Sequence, residues 1–244
     1  MSDLGVAAFR RYGEFRPHHR FPATTADLLG SNESVYRKRF ARHLPAERNA
    51  RILDLGCGYG EFLCFLQRAG YRQAAGVDLD PGQTEIAGSL GVANVTCGDA
   101  RELLRASPSQ FDFISAIDVV EHFPKAQVLE LLNLVYAALR PGGRFLCQVP
   151  NAAAFYLPLS YMDFTHETAF TPASLRQALE MAGFTNVRVS GMGPVAHGVK
   201  SSVRWLLWKL IESCLTFVQT IEGGPRDPIE RIFSAAFFAV ADRP

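Results

Sequence analysis

The chain has 244 residues, with 25 Lys and Arg against 24 Asp and Glu, and 48% of its residues are hydrophobic. This length suits one sizeable α/β domain with insertions and is too short for two full domains. Because the charges nearly balance, no overall field favours nucleic acid, and we expect no nucleic-acid partner.

The N-terminal arm, residues 1–30, mixes aromatic, Arg and Pro residues without a clear period, which predicts an irregular segment. Part of it is basic and almost free of acids, so it is either solvated or a site for an anionic acceptor or a membrane surface. The basic residues are Arg10, Arg11, Arg16, His18, His19 and Arg20. From Glu33 to Leu44 an amphipathic helix follows, with Ser31 or Asn32 as its N-cap.

The five cysteines show no paired spacing typical of a metal site. Most lie in apolar surroundings, so we interpret them as reduced core thiols of a cytosolic protein. They are Cys57, Cys64, Cys97, Cys147 and Cys214. The N-terminus lacks the apolar core of a signal peptide, and no uninterrupted apolar run reaches the length of a bilayer-spanning helix. We therefore expect a cytoplasmic protein.

The stretch from Ile52 to Leu63 predicts a strand, a tight glycine-rich loop and a helix. Gly56, Gly58 and Gly60 fall at every second position, where missing Cβ atoms let a ligand lie directly against the main chain. The spacing differs from the G-x-G-x-x-G of dinucleotide-binding folds, and no Lys-Ser/Thr pair completes a phosphate-binding P-loop. The loop therefore predicts a small-molecule site of another kind.

Alternating apolar runs and amphipathic segments predict a sheet with helices on both faces. Strands are expected at residues 51–55, 74–78, 92–97, 111–117, 144–150, 186–192 and 232–241. The run at 74–78 is apolar throughout rather than alternating, as in a buried parallel strand. Helices are expected at residues 60–68, 128–139, 172–182 and 203–221.

Four motifs carry a family resemblance. Asp54-x-Gly56-x-Gly58-x-Gly60 resembles the first motif of class I S-adenosylmethionine (AdoMet) dependent methyltransferases, and Pro-Gly-Gly before the fifth strand is also similar. The D-V-x-E-H run at Asp118–His122 resembles the ubiquinone-pathway O-methyltransferases. The D-x-x-H-x-x-x-F-T run at 163–171 resembles methyltransferases of surface-polysaccharide and O-antigen biosynthesis.

The resemblance implies a seven-stranded Rossmann-like α/β sheet, mostly parallel with an antiparallel last strand. We expect a single methyltransferase domain, with an N-terminal arm and helical cap at 1–45 and an AdoMet-binding core at 46–198; the resemblance itself covers roughly residues 33–184 and leaves out the arm and the insertion. A helical insertion at 199–230 precedes the last strand at 231–244.

The cofactor implied by the resemblance is AdoMet. Asp78 would accept the ribose hydroxyls, with Asp80 as the substitute and a surface carboxylate as the alternative role. Asp99 would approach the adenine amino group and Ala100 would offer its N–H, although Asp99 also suits a helix N-cap. The expected cofactor-binding residues are Asp54, Gly56, Gly58, Gly60, Asp78, Leu79, Asp99, Ala100 and Asp118.

The catalytic step requires a base if the acceptor is a sugar hydroxyl, whose pKa lies far above neutrality. His166 is the first candidate, oriented by Asp163 or Glu167, and His122 is the second. The other interpretation of His122 is a hydrogen-bonded side chain that fixes the loop after the fourth strand. No metal is assigned, and the alternative is a metal ion held by Asp118, Asp163 and His166.

The favoured function is O-methylation of a sugar hydroxyl in a glycan or a nucleotide sugar, with the aromatic loop at Phe155, Tyr156 and Tyr161 as the acceptor pocket. Two alternatives stay open: a quinone or other phenolic O-methyltransferase, and a non-catalytic AdoMet-binding subunit. A nicotinamide-dependent reductase is disfavoured by the glycine spacing.

The predicted insertion helix at 203–221 carries a wide apolar face. Burial against the body of the protein or in a homodimer is the first interpretation. The second is peripheral contact with a membrane, because Trp, Arg and Lys flank the apolar face.

Overall fold

A computed structural model describes residues 9–15, 22, 24–30, 32–155 and 159–244. Several residues singled out in the sequence lie outside these ranges: Arg16, His18, His19, Arg20, Ser31 and Tyr156.

Within the described residues, seven strands form one sheet in the order β3-β2-β1-β4-β5-β7-β6. The strands are β1 Ile52–Leu55, β2 Ala74–Asp78, β3 Val95–Cys97, β4 Phe111–Ile117, β5 Leu139–Pro150, β6 Thr185–Gly191 and β7 Ala236–Asp242. Strands β1 to β5 pair in parallel, whereas β7 is antiparallel to both of its neighbours, β5 and β6. The predicted sheet with an antiparallel last strand is confirmed.

Helices cover both faces of the sheet. They are α1 Tyr12–Phe15, α2 Thr25–Leu29, α3 Asn32–Val35, α4 Glu61–Arg68, α5 Pro81–Ser89, α6 Ala100–Arg105, α7 Lys125–Ala138, α8 Pro172–Met181 and α9 Val199–Gly223. Thr171 caps α8 through a reciprocal pair of hydrogen bonds with Ser174. Such a capping box satisfies two backbone donors that the helix leaves unpaired.

The core consists of two apolar clusters, one on each side of the sheet. Side chains of α7 and α8, among them Leu132 and Leu175, pack in one cluster. The other joins α4 to the residues that precede β1, with Phe40 and Phe62 at its centre. All four residues of β1 are buried, as expected of a central parallel strand covered on both faces.

The predicted regular helix at 33–44 is wrong in detail. After α3 the chain makes a π-helical turn at Tyr36–Phe40 and a 3₁₀ turn at Ala41–His43. The Tyr36 and Phe40 rings both lie against Phe62, at centroid distances of 5.1 Å and 5.8 Å. The π-helical and 3₁₀ turns therefore occur together with the packing of these aromatic rings, and local periodicity does not predict either turn.

Two of the five cysteines differ from the expected core thiols. Cys57, Cys64 and Cys147 are buried, whereas Cys97 and Cys214 are exposed. Cys97 ends the short strand β3, which is an edge strand of the sheet, and Cys214 lies on α9, so neither position is covered by the core. No helix in the described ranges is both long enough and apolar enough to cross a bilayer.

Asn151, directly after β5, is completely buried and holds the segment that leads into β7. Its amide nitrogen donates to the carbonyl oxygens of Ile232 and Ser234 at 2.8 Å and 2.9 Å. Its Oδ1 accepts from the Ala153 N–H at 3.0 Å. No local pattern in the sequence indicates that Asn151 holds this segment.

We expect Asn151→Ala to lower the free energy of unfolding by about 2–4 kcal/mol, because each buried polar group left without a partner costs about 1–3 kcal/mol. Urea denaturation measures the change. Asn133→Ala, on the exposed side of α7, is the control and should stay within about 0.5 kcal/mol of the parent. Equal losses in the two variants would contradict the role of Asn151.

Candidate functional site

A cavity of about 700 Å³ lies at the carboxyl ends of β1, β2 and β4. Its size is within the range of about 300–1,000 Å³ that is usual for small-molecule sites. Residues that precede β1 cover it, including Phe9, Tyr12, Leu28 and Tyr36. The N-terminal residues predicted as a cap therefore line the cavity.

The glycine-rich loop after β1 forms one wall of the cavity. Gly56 and Gly58 have φ angles of +60° and +54°, which side chains rarely allow. A Cβ atom at Gly56 would lie 2.5 Å from Val119 Cγ2, and one at Gly58 would lie 2.9 Å from Gln83 Oε1. The loop thus needs glycine both for its backbone conformation and for its close neighbours.

Asp54 lies in β1 beneath this loop and is only 3% exposed. Its Oδ1 accepts a hydrogen bond from the Ser115 hydroxyl at 2.6 Å. Burial raises the pKa of Asp54 to about 7, against the lowering effect of the Ser115 hydrogen bond, and the nearby Asp78 and Glu61 charges add to the rise. A cationic ligand group would therefore favour the ionised carboxylate.

Asp78 ends β2 and lines the cavity, as does Leu79. Its two oxygens accept backbone N–H groups, Oδ2 from Gly58 at 2.7 Å and Oδ1 from Asp80 at 2.9 Å. Burial raises the pKa of Asp78, although these hydrogen bonds oppose the rise. Each carboxylate oxygen has a second lone pair, so these bonds leave room for a ribose hydroxyl.

Asp80 does not line the cavity among the described residues, but it fastens the cover. One oxygen caps α5, accepting from the Gly82 N–H at 2.8 Å, and the other accepts from the Gly13 N–H at 2.8 Å. The carboxylate therefore links α5 to α1.

Asp99 and Ala100, at the start of α6, line the cavity as well. Asp99 caps the helix by accepting from the Arg101 N–H at 2.8 Å and pairs with the Arg101 guanidinium at 2.6 Å. Burial would raise the pKa of Asp99, but the hydrogen bonds and charge of Arg101 outweigh it and lower the pKa. The N-cap role considered for Asp99 is thus present, alongside a position in the cavity wall.

Asp118 follows β4 with a φ of +55° and faces the cavity. The side-chain amide nitrogen of Gln148 lies 3.1 Å from each of its carboxylate oxygens. Gln148 was not predicted from the sequence, although a polar residue inside the apolar run of β5 could have indicated a role in the site.

His122 lines the cavity beside Asp118 and is 7% exposed. Its Nδ1 lies 3.0 Å from the Thr165 hydroxyl oxygen, and that hydroxyl donates to Asp163 Oδ1 at 2.6 Å. Because the hydroxyl proton points to Asp163, the Thr165 oxygen accepts from His122. This assignment places the imidazole proton on Nδ1 and the lone pair on Nε2.

His166 lies behind His122, with ring centroids 4.8 Å apart, and is not among the described residues that line the cavity. Its Nε2 is 4.0 Å from a Glu121 carboxylate oxygen, and its Nδ1 is 3.3 Å from the carbonyl oxygen of Ser160. The expectation that Asp163 orients His166 is therefore corrected, because Asp163 acts on His122 through Thr165.

Asp163 also ties the N-terminal segment to the loop after β5. The Tyr12 hydroxyl donates to Asp163 Oδ2 at 2.6 Å. Burial would raise the pKa of Asp163, but the hydrogen bonds from Thr165 and Tyr12 outweigh burial and lower it. Sequence reasoning missed Tyr12, since no local pattern reveals a contact across 151 positions.

The structure brings together a set of potential metal ligands that differs from the set considered in the sequence. One donor atom each of Glu121, His122 and His166 lie within 4.8 Å of one another. Two ligands bound at about 2.1 Å are at most about 4.2 Å apart, so the three groups must approach before they share a zinc ion. Asp118 and Asp163 do not belong to this group.

Comparison with known proteins gives a consistent result. The sequence profile of a family described as "Methyltransferase domain" matches residues 28–189. The ubiquinone biosynthesis O-methyltransferase of Xylella fastidiosa strain M23 is 31% identical over 198 residues, which cover 74% of each chain. Its counterpart in Methylobacterium nodulans is 31% identical over 199 residues, covering 74% of this chain and 78% of the relative.

Solved structures share the fold. A SAM-dependent methyltransferase from Archaeoglobus fulgidus superposes with a TM-score of 0.61 at 24% identity, covering 89% of this chain and 96% of that one. Phosphoethanolamine N-methyltransferase 2 from Haemonchus contortus, solved with S-adenosylhomocysteine, gives a TM-score of 0.59 at 20% identity. It covers all of this chain and 58% of its own.

The residues at the cavity fit AdoMet as the cofactor. The glycine loop has no room for Cβ atoms, so main-chain groups can approach a ligand closely. Asp54 and Asp78 place carboxylates at the cavity that would suit a cationic methionine moiety and ribose hydroxyls. Asp99 and the N–H of Ala100 suit the polar edge of an adenine ring.

We expect Gly56→Ala to weaken AdoMet binding by at least about tenfold, equivalent to about 1.4 kcal/mol, because the new Cβ displaces Val119 from the loop. Isothermal titration calorimetry measures the affinity. Gly91→Ala is a matched control, since its φ is +76° but no described heavy atom would lie within 4 Å of its Cβ. The same loss in both variants would attribute the effect to backbone strain alone.

The raised pKa of Asp54 gives a pH dependence with a defined sign. Between the ordinary value of 3.8 and about 7, the folded protein binds more protons than the unfolded chain, so this group reduces stability as pH rises through that window. An ammonium group bound beside Asp54 would stabilise the ionised carboxylate, so such binding would release a proton below neutrality.

We therefore expect AdoMet affinity to increase by about fivefold between about pH 6 and pH 7, below the pH at which the amino group of AdoMet loses its own proton. Calorimetry in buffers of different ionisation enthalpy counts the released proton. Asp54→Asn should bind more weakly and show no such pH dependence. An unchanged pH profile in this variant would assign the proton to another group.

Proposed function

Since the chain belongs to the class I AdoMet-dependent methyltransferases, we propose that it methylates the hydroxyl group of a phenolic small molecule. The observation that carries this proposal is the aromatic surface around His122. The rings of Phe9 and Tyr12 lie edge-on to the imidazole at centroid distances of 5.2 Å and 5.6 Å. A flat aromatic acceptor fits such a surface.

The relatives named as ubiquinone biosynthesis O-methyltransferases support the same acceptor class. Residues of the predicted aromatic loop lie elsewhere. Phe155, Tyr161 and Phe164 are strongly exposed and are not among the described residues that line the cavity. This arrangement favours a phenolic acceptor in the cavity over a sugar acceptor in the loop pocket predicted from sequence.

A sugar hydroxyl is the second candidate. The exposed rings of Tyr161 and Phe164 are surfaces on which sugars can stack. They are close in sequence to Asp163, whose carboxylate accepts a hydrogen bond from Tyr12 of the cavity cover.

We propose that His122 is the general base, in place of His166 as favoured from the sequence. AdoMet, when bound, supplies an electrophilic methyl group on its sulfonium. The His122 lone pair on Nε2 accepts the hydroxyl proton of the acceptor as that oxygen is methylated. Thr165 and Asp163 hold the imidazole in the required tautomer, which makes both of them positioning residues.

We propose that the other residues of the site bind the cofactor. Asp78 accepts the ribose hydroxyls with Leu79 beside it, and Asp99 and Ala100 hold the adenine. Asp54, Asp118 and the loop glycines Gly56, Gly58 and Gly60 surround the methionine moiety.

We expect His122→Ala to reduce turnover at saturating AdoMet by about a hundredfold or more, since a positioned base contributes about 10²–10⁴-fold. His166→Ala should have a smaller effect, and His197→Ala, an exposed control on the loop before α9, should have none. Initial rates with methyl-labelled AdoMet measure all three. A larger loss in His166→Ala than in His122→Ala would restore His166 as the base.

The same assay tests the acceptor class with two defined compounds, a simple catechol and a nucleotide sugar. We expect label to enter the catechol and to be lost in His122→Ala. Label in the nucleotide sugar alone would establish the second candidate. Label in neither compound, despite AdoMet binding, would contradict both and favour the non-catalytic subunit.

A further inference from the structure

The helix α9, of 25 residues, connects β6 to β7 and is about 37 Å long at 1.5 Å per residue. None of its residues is buried. It contacts the rest of the protein along one side. Trp208 lies against Gly193, where a Cβ atom would be 2.8 Å from the indole nitrogen, and the Gln219 amide donates to the Glu230 carbonyl oxygen at 3.2 Å.

The residues that are half-buried on α9 share this inner side, since they follow a helical spacing of three, four or seven positions. They are Ser201, Trp208, Glu212, Leu215, Thr216 and Gln219. The contact surface of the helix is therefore mostly polar, and the remainder faces away from the protein.

The opposite side carries an uninterrupted apolar stripe. Its exposed fractions include 84% for Val199, 58% for Leu210, 67% for Phe217 and 70% for Ile221. The stripe consists of Val199, Val203, Leu206, Leu210, Cys214, Phe217 and Ile221, with Leu207, Ile211 and Val218 along one edge. The expected burial of this face on the body of the protein is thus wrong, because the polar side makes those contacts.

The spacing of the stripe distinguishes between two ways of covering it. Val199, Leu210 and Ile221 are each separated by 11 residues, three helical turns, so the stripe runs nearly straight along the helix. A left-handed coiled coil with a second copy needs a 3.5-residue period and a narrow seam. A wide, straight stripe instead suits a flat apolar surface.

The charges of α9 favour an anionic surface. In the first half of the helix Lys200 and Arg204 are exposed toward one edge of the stripe, the exposed Glu222 lies at the far end of the helix, and no stripe residue is acidic. Glu212 is on the inner side, where it pairs with Lys209 at 2.6 Å. Trp205 does not belong to the stripe, because it lines a crevice with Trp208 and Gly193 on the inner side of α9.

We propose that α9 docks this protein onto the surface of an anionic lipid bilayer. The helix lies parallel to the membrane, with the apolar stripe buried about 5–10 Å into the boundary between headgroups and acyl chains. Lys200 and Arg204 contact the headgroup phosphates, whereas Lys209 stays paired with Glu212. The docking is peripheral, in agreement with the finding that α9 is not apolar enough to span a bilayer.

Co-sedimentation of the full chain with vesicles containing 30% phosphatidylglycerol tests the proposal, with pure phosphatidylcholine vesicles for comparison. We expect binding to the anionic vesicles that weakens as salt is raised, because screening reduces the attraction of the basic residues. Phe217→Asp should weaken binding by at least about tenfold, through loss of its buried ring.

Met181→Asp is the matched control, since Met181 on α8 is 65% exposed and Phe217 on α9 is 67% exposed. It should bind vesicles as the parent does. AdoMet titration of each variant verifies folding, independently of the acceptor and of the lipid.

Three outcomes would overturn the proposal: no binding of the parent protein to anionic vesicles, equal binding by the parent and Phe217→Asp, or equal loss in Phe217→Asp and Met181→Asp. Sedimentation equilibrium without lipid adds a further criterion. A parent dimer that Phe217→Asp dissociates, together with no vesicle binding, would assign the stripe to a second copy of the chain.

Discussion

The hydrogen bonds that the Asp78 carboxylate accepts are the interactions on which the cavity depends. The carboxylate accepts the N–H groups of Gly58 and Asp80, and so it fixes the glycine loop against the end of β2. The next carboxylate, Asp80, accepts the N–H of Gly13 and thereby holds the cover in place. Two neighbouring acids therefore determine the positions of a wall and a cover that are far apart in the chain. A charged acceptor is suited to this task, because its hydrogen bonds are stronger than those of neutral groups.

The two ends of the cavity differ in chemistry. At one end the buried Asp54 and Asp78 carry pKa values that burial has raised, so a cation or a hydroxyl donor relieves an unfavourable environment. At the other end, aromatic rings surround His122, whose tautomer follows from the Thr165 and Asp163 hydrogen bonds. Under the proposed function, this polarity would place a cationic methyl donor and a flat acceptor at opposite sides of the transferred group, as an in-line displacement requires.

The helix α9 lies outside the part of the chain that matches the family profile, which ends at residue 189. The sheet is complete without it, since β6 and β7 pair directly around the insertion. Its apolar stripe therefore adds nothing to the core, and its polar side makes the contacts that attach it. Under the proposed docking, catalysis and location would be separate: the core would hold the cofactor, and the insertion would determine where the enzyme meets its acceptor.

The sequence by itself determined the sheet, the glycine loop and the position of the acids at strand ends, because those features follow from local periodicity and from the common edge at which parallel strands end. Tertiary structure alone decided which histidine faces the cavity. His122 and His166 stand 44 positions apart with similar acidic neighbours, and only packing brings Thr165 to His122 and Glu121 to His166. The outward direction of the α9 stripe was likewise beyond sequence reasoning, since an amphipathic pattern gives the width of an apolar face but not the direction in which it points.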